Sequence, residues 1–385
     1  MLSFFRVNAL YQIFSLLILL IVSRIHIFLN GSPELIPELQ WMLVGEQINK
    51  GFVMYSDIWD NTAPFSAMVY AGIDSIVGRS QFAYQFLAFF VAAFQVIYFN
   101  VVINNRDIFP KRTYLPGLMY VIFLNISIDC ATLSPVLMGT SFLLLAFGTI
   151  VKQVNRLEAT DEVFEIGFLI GVATLFYPPA CVFILWAIAS LLFFSGATLR
   201  QHSLAMFGFL FPLFLTGLFF YLDGTYDDFF QIFISSVFQI RQYNLNDFRT
   251  LLATLLLPFI FAVLGFLRLV NATGFVNFQL RCQQVMMLWG LTGFLSIGLM
   301  PFLAPMQFII FVPALAFFAT NFFSSFKKTW MAEMLFLGSL SVMIFFYFQG
   351  ANDSDESFAK LNNLKIKRNS AFPFKSKKVL VLGNG

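Results

Sequence analysis

Apolar stretches long enough to cross a membrane recur along this chain from Phe4 to Tyr347. A helix needs about 20 apolar residues to span the hydrocarbon core of a bilayer. Inside lipid, every backbone polar group must find its partner within the protein, and a helix meets that need within its own segment. The repeated stretches therefore predict an all-α fold, a polytopic transmembrane helical bundle.

The composition agrees with this prediction and excludes a water-soluble enzyme. Hydrophobic residues make up 59% of the 385 residues and charged residues 11%, against about 45–50% and about 25% in soluble domains. The net charge of +3 is too small to suggest nucleic-acid binding. The three cysteines are widely spaced and form no CxxC motif, so they favour neither a disulfide framework nor a zinc site.

The distribution of Lys and Arg predicts the direction of the spans, because cytoplasmic loops are enriched in these residues. Segment 30–63 has five acidic residues and one basic residue, whereas segment 104–112 has three basic residues. We therefore place the first segment outside and the second in the cytoplasm. Between them, the apolar piece 64–77 is too short to span, so we expect an amphipathic helix lying on the outer surface.

Continued along the chain, the alternation predicts about 11 spans, a cytoplasmic N-terminus and an external C-terminus. Residues 1–349 then form one transmembrane domain, and the first outer loop, residues 30–81, carries the candidate site. The predicted spans are 4–29, 82–102, 114–128, 135–151, 164–176, 180–194, 204–222, 251–267, 285–299, 308–322 and 331–348.

The tail, residues 350–385, differs in composition from the rest of the chain and is predicted to leave the membrane. It begins polar, becomes basic and ends in Lys-Lys-Val-Leu-Val-Leu-Gly-Asn-Gly. The apolar end is typical of a strand, and a lone strand has no partner. It either adds to the sheet of a protein partner or belongs to a chain that continues beyond residue 385.

The first outer loop contains the candidate catalytic residue. Pro37 suits the first turn of a helix, which we expect to run to about Asn49 and to be closed by Gly51. Glu38 lies in that first turn beside an apolar surface and is the candidate general base. The alternative is that Glu38 only complements the helix dipole. Glu46 would lie about 12 Å further along the helix, too far to form an acid/base pair with Glu38.

Asp57 and Asp60 follow in the same loop, in the order Tyr-Ser-Asp-Ile-Trp-Asp-Asn. Their hard oxygen atoms could bind a divalent ion together with Glu38. The order of residues favours a hydrogen-bonded turn instead, so no metal site is predicted and a divalent ion remains the alternative. Asp129, in a later outer turn, has two interpretations: it lines the same cavity, or it caps the helix that follows.

The arrangement of these features resembles the N-terminal region of the GT-C glycosyltransferases, which use polyprenyl-phosphate-linked sugars. The resemblance covers residues 1–105 and differs from the family in having Glu38 where Asp is usual and one proline where two are usual. The same region also resembles a family of Bacteroidota membrane proteins, from which no activity is carried over. The matching order is a first span, an acidic residue opening an outer helix, Gly51, Tyr55-x-Asp57-x-Trp-Asp60, Pro64, an apolar surface helix, Gly78-Arg79-Ser80 and a second span.

This resemblance implies a site at the periplasmic face of the bacterial inner membrane, with membrane lipid and a polyprenyl-phosphate-linked sugar as partners. Glu38 would be the catalytic base, and Asp57 and Asp60 would bind the substrate. Cations would hold the departing phosphate, because guanidinium groups suit phosphate oxygens. The candidates are Arg24, Arg79 and Arg241, although arginines near a membrane surface also occur as snorkelling residues.

Two other functions remain open at this stage. A non-catalytic GT-C-like protein could bind lipid or dock a protein partner in an envelope complex. A flippase or transporter would show internal repeats of inverted topology, which the hydropathy pattern does not display.

Overall fold

The computed structural model describes residues 1–9, 11–30, 35–154, 160–235, 248–270, 275–326 and 328–353. Within these ranges the chain forms helices joined by turns and contains no β-strand. Residues 354–385, including the strand predicted at the C-terminal end, lie outside the described part. In chain order the α-helices are α1 (Leu2–Phe5), α2 (Tyr11–Asn30), α3 (Ile36–Asn49), α4 (Pro64–Val77), α5 (Gln81–Asn105), α6 (Leu115–Leu124), α7 (Pro135–Gln153), α8 (Thr160–Phe176), α9 (Phe183–Ser190), α10 (Leu199–Leu222), α11 (Tyr226–Phe229), α12 (Phe248–Val270), α13 (Asn277–Ser296), α14 (Val312–Ser324) and α15 (Thr329–Asp353).

Nine helical segments of the described chain are long and apolar enough to cross a membrane. The two remaining predicted spans correspond to shorter helices, α6 with 10 residues and α8 with 17 residues. This count is consistent with about 11 spans and confirms the all-α polytopic bundle. The nine segments are Tyr11–Leu29, Gln81–Asn105, Pro135–Gln153, Pro178–Ser195, Leu199–Leu222, Leu251–Val270, Asn277–Leu299, Pro305–Ser324 and Thr329–Tyr347.

The loops collect at two opposite ends of the bundle, as the alternation of spans predicts. We call the end that holds residues 35–81 the outer end and the opposite end the inner end, and the side of the membrane that each faces stays a prediction. Hydrogen bonds between the loops of the outer end join Glu38 to Thr132, Ser66 to Phe176 and Asp129 to Met306. At the inner end, they join Arg6 to Phe323, Gln279 to Asp107 and Arg281 to Phe194.

The first outer loop begins with the helix that the sequence predicts. Helix α3 runs to Asn49, has a proline in its first turn and is followed by Gly51 at φ +89°. This left-handed conformation carries no steric penalty for glycine, which explains the sharp end of the helix.

The second helix of the loop, α4, has the bounds expected for the short surface helix. Gln81 at the start of α5 donates a hydrogen bond to Glu38 at the start of α3. Because both helix starts lie at the outer end, the chain returns there through α4 without crossing the bundle.

Close helix contacts in the bundle depend on small residues, as is common in membrane proteins. A Cβ atom added to Gly265 in α12 would overlap with the backbone oxygen of Phe318 in α14. The Asn321 side chain donates a 3.1 Å hydrogen bond to the Gly265 carbonyl. Residues 305–323 are all buried, so α14 forms the centre around which the other spans pack.

Candidate functional site

Glu38 is buried at the outer end and is held by two distant parts of the chain. Only 1% of the residue is exposed. One carboxylate oxygen, Oε1, accepts a 2.6 Å hydrogen bond from Thr132 Oγ1, and Oε2 accepts a 3.0 Å bond from Gln81 Nε2. The position in the first turn of α3 also suits a negative charge. These contacts orient the carboxylate.

An aromatic stack lies beside Glu38. The ring of Tyr70 stacks on Trp41 at 5.6 Å and on Tyr84 at 5.4 Å. The Tyr70 hydroxyl donates to the Leu133 carbonyl at 2.9 Å. Burial, and then the neighbouring Tyr84 and Glu38, raise the pKa of Tyr70 well above its ordinary value. Tyr70 is therefore a neutral donor, and both Tyr70 and Tyr84 interact electrostatically with Glu38.

Glu46, near the other end of α3, belongs to the surface rather than to this site. It forms ion pairs with Lys50 and with Arg79. The hydrogen bond from Lys50, followed by that from Arg79, lowers the pKa of Glu46. Arg79, one of the predicted substrate-binding residues, is thus engaged by Glu46.

The two predicted substrate-binding aspartates close turns in the first outer loop. Asp57 accepts the backbone N–H of Val53 at 2.9 Å. Asp60 Oδ1 accepts from the backbone N–H and hydroxyl of Thr62, and Asp60 Oδ2 accepts from Gln40 at 2.6 Å. These bonds form the hydrogen-bonded turn that the order of residues favours. No group of three His, Cys, Asp or Glu residues in the described chain is arranged to hold a metal ion.

Tyr55 anchors this loop to the helices that follow α10. It is fully buried, has φ +71° and donates a 2.7 Å hydrogen bond to the Thr62 carbonyl. Its ring lies 5.4 Å from the Phe220 ring, 5.5 Å from Phe229 and 5.9 Å from Phe233. The loop that carries Asp57 and Asp60 is therefore tied to a distant part of the sequence.

An apolar groove borders the aromatic cluster around Tyr55. It has a volume of about 450 Å³ and lies between α8, α10 and the residues that follow α10. Phe229 and Phe233 line the groove and also pack on Tyr55. A groove of this size with apolar walls accommodates a hydrocarbon chain. Other lining residues are Thr174, Leu213, Gly217 and Tyr226.

Arg24 is a buried cation in α2. Only 1% of the residue is exposed, and its Nε donates a 2.8 Å hydrogen bond to Asn125 Oδ1. Cys130 and Tyr347 lie close enough for electrostatic interaction with the guanidinium group. Neither Nη1 nor Nη2 has a hydrogen-bond partner in the described part of the chain. The third predicted cation, Arg241, lies outside the described residues.

Asp129 lies next to Cys130 and connects two segments of the outer end. Its Oδ2 accepts the backbone N–H of Met306 at 2.9 Å, and burial raises the pKa of its carboxyl group. The interpretation of Asp129 as the cap of the next helix is wrong, because Ser134 is the N-cap of α7 and accepts from the Leu137 N–H.

The residues that hold Glu38 were not identified from the sequence. Thr132 and Gln81 lie 94 and 43 positions from Glu38. Their only sequence signal is that each is a polar residue in an outer turn or at the start of a span. No local periodicity relates such distant positions.

Taken together, the described helices define a GT-C-like membrane fold. Among solved structures, the chain is similar to ArnT, a GT-C glycosyltransferase from Cupriavidus metallidurans whose crystal structure was determined bound to undecaprenyl phosphate, with a TM-score of 0.59 and 12% identity. The match covers 86% of this chain and 63% of ArnT. No family model matches the sequence, and no curated protein matches it either. At this identity the similarity shows the fold.

Proposed function

We propose that this protein is a GT-C-like membrane glycosyltransferase that transfers a sugar from a polyprenyl-phosphate donor to an acceptor at the periplasmic face of the bacterial inner membrane. The observation that carries the proposal is the buried carboxylate of Glu38, oriented by Thr132 and Gln81. A buried carboxylate that is held in position is suited to act as a general base. The GT-C-like fold supports this reaction class.

In the proposed reaction, Glu38 accepts the proton of an acceptor hydroxyl or amide group. The acceptor atom forms a bond to the anomeric carbon of the sugar while the bond from that carbon to the phosphate oxygen breaks. The electron pair leaves with the phosphate, so the products are the glycosylated acceptor and a polyprenyl phosphate. The hydrogen bonds from Thr132 and Gln81 hold Glu38 in place during the proton transfer.

The apolar groove supports a lipid-linked substrate. A polyprenyl chain is a hydrocarbon and would occupy the groove between α8 and α10. Because Phe229 and Phe233 contact both the groove and Tyr55, the lipid chain would lie beside the loop that carries Asp57 and Asp60. In this proposal, the two aspartates bind the sugar through the outer surface of that loop, and Arg24, Arg79 or Arg241 holds the phosphate.

A second candidate function is a non-catalytic GT-C-like protein that binds lipid or a protein partner in an envelope complex. The observation that favours it is the small exposed fraction of Glu38, 1%, with both oxygens already in hydrogen bonds. An acceptor could then reach the carboxylate only after the surrounding side chains move.

Glycan and glycoprotein profiling of cells in which the native copy carries Glu38→Gln tests the two functions. The matched control is Glu46→Gln, which changes a carboxylate on the same helix that pairs with surface cations. The proposal predicts that Glu38→Gln loses a sugar at normal membrane levels of the protein and that Glu46→Gln retains it. An unchanged glycome in Glu38→Gln, in a strain whose deletion has a phenotype, would leave the binding function.

A further inference from the structure

The buried guanidinium group of Arg24 has an incomplete set of partners. Asn125 binds Nε, while Nη1 and Nη2 have no hydrogen-bond partner among the described residues. No carboxylate of the described chain forms an ion pair with Arg24. A buried charge without compensation is strongly unfavourable, and an ionisable residue inside a membrane span usually has a functional role. These facts indicate that an anion completes the site.

The position of Arg24 indicates the side from which such an anion arrives. Arg24 lies six residues before the end of α2, which is about 9 Å below the outer end at 1.5 Å per residue. Neighbouring residues of α2, Val22 and Ile25, are exposed on the apolar surface of the bundle. The residues around the guanidinium group, Asn125, Cys130 and Tyr347, all belong to the outer half of the bundle. The headgroup of a lipid in the outer leaflet would therefore be within reach of Arg24.

We propose that Arg24 binds the phosphate group of a polyprenyl phosphate through Nη1 and Nη2. The identity of the lipid rests on the proposed function, whereas the phosphate chemistry rests on the guanidinium group itself. Two parallel N–H donors match two oxygens of a phosphate. The bond from Nε to Asn125 fixes the plane of the guanidinium group, so the two outer nitrogens are oriented before the ligand binds.

Arg24 and Glu38 are related through one short segment of chain. Cys130 interacts electrostatically with Arg24, and Thr132, two residues later, donates a hydrogen bond to Glu38. Two residues of chain span at most about 7 Å. One short segment of chain therefore connects the proposed phosphate site at Arg24 with Glu38.

Thermal unfolding of the purified full chain in detergent tests the proposal with four probes: undecaprenyl phosphate, undecaprenol, phosphatidylglycerol and inorganic phosphate. Undecaprenyl phosphate is expected to raise the unfolding temperature of the wild type, and undecaprenol, which lacks the phosphate, is not. Arg24→Gln is expected to weaken binding of undecaprenyl phosphate about tenfold or more, because it removes charge-assisted hydrogen bonds. The control Arg112→Gln changes a surface cation that pairs with Asp107 at the inner end, and it is expected to bind like the wild type.

The other outcomes overturn the proposal in distinguishable ways. Equal stabilisation by phosphatidylglycerol would assign the site to general headgroups, and equal stabilisation by inorganic phosphate would assign it to a free anion. Should Arg24→Gln fail to fold, Arg24→Lys keeps the charge and loses the paired donors, and unchanged binding by that variant would refute the role of the guanidinium group. Glu38→Gln should retain phosphate-dependent stabilisation, so a failure of sugar transfer and a failure of phosphate binding are separable.

Discussion

Thr132 Oγ1 donates a 2.6 Å hydrogen bond to Glu38 Oε1 across 94 positions of the chain. The bond joins the first helix of the outer loop to the segment that precedes α7. It holds one oxygen of the proposed base, while Gln81 at the start of α5 holds the other. The orientation of Glu38 is therefore a property of three segments that meet only in the folded protein.

Thr132→Val removes this bond and preserves the shape of the side chain. A hydrogen bond to a charged group contributes about 1.5–3 kcal/mol, so we expect sugar transfer to fall on the order of tenfold. The control is Thr140→Val, because the Thr140 hydroxyl donates to the Val136 carbonyl of its own helix. Equal activity of the two variants in the glycan assay would show that the bond does not position Glu38.

Asp129→Asn is expected to stabilise the protein at neutral pH. Burial raises the pKa of Asp129, so the folded state holds the proton more tightly than the unfolded state. The stability from this residue is complete below the ordinary pKa of an Asp and is lost as the pH rises through the raised value. Asn cannot ionise and can still accept the Met306 N–H.

Unfolding temperatures of wild type and Asp129→Asn, measured from about pH 4 to 8, check this prediction. At the upper end of this pH range, we expect the variant to be more stable than the wild type. Its unfolding temperature should also depend less on pH. A wild type that is more stable than the variant at neutral pH would instead indicate that the ionised carboxylate has a compensating partner.

Tyr55→Ala is expected to release the first outer loop from the helices that follow α10. The substitution removes a fully buried ring that packs on Phe220, Phe229 and Phe233, at a cost of about 3 kcal/mol. Limited proteolysis should then cleave the loop faster. The matched control is Trp59→Ala in the same loop, because 87% of Trp59 is exposed; faster cleavage in both variants would refute the anchoring role.

Gly265→Ala is expected to separate α12 from α14. The added Cβ atom would overlap with the Phe318 carbonyl, and overpacking of this kind costs about 1–3 kcal/mol. Gly290→Ala in α13 has open space around the new Cβ atom and serves as the control. The unfolding temperature in detergent should fall for the first variant and stay near the wild-type value for the second.

Cysteine labelling checks the orientation in the membrane. Trp59 and Lys111 are exposed at the outer and inner ends, whereas the native Cys130 and Cys282 are buried and Cys181 is partly buried. With a membrane-impermeant thiol reagent applied to the periplasmic side, Trp59→Cys should react and Lys111→Cys should not. The opposite pattern would reverse the predicted topology.

Much of the fold could be predicted from local signals. The bounds of α4 and the end of α3 at Asn49 agree with the sequence analysis, because proline, glycine and apolar length act within a few residues. The spans were also predictable, since lipid requires each segment to satisfy its own backbone. The helices α6 and α8, with 10 and 17 residues, are shorter than typical spans, and nearly all of α6 is buried among other helices.

The amino-acid sequence alone predicts a helical membrane bundle with an acidic loop at one end, with Glu38 as the candidate base and Arg24 as a candidate phosphate ligand. The folded structure was needed to show that Arg79 binds Glu46, that Thr132 and Gln81 hold Glu38, and that Arg24 is buried without an ionic partner in the described chain. The physical reason is the range of the interactions. Helix formation and lipid solvation depend on neighbouring residues, whereas the pairing of a buried charge depends on side chains that meet only when distant segments pack together.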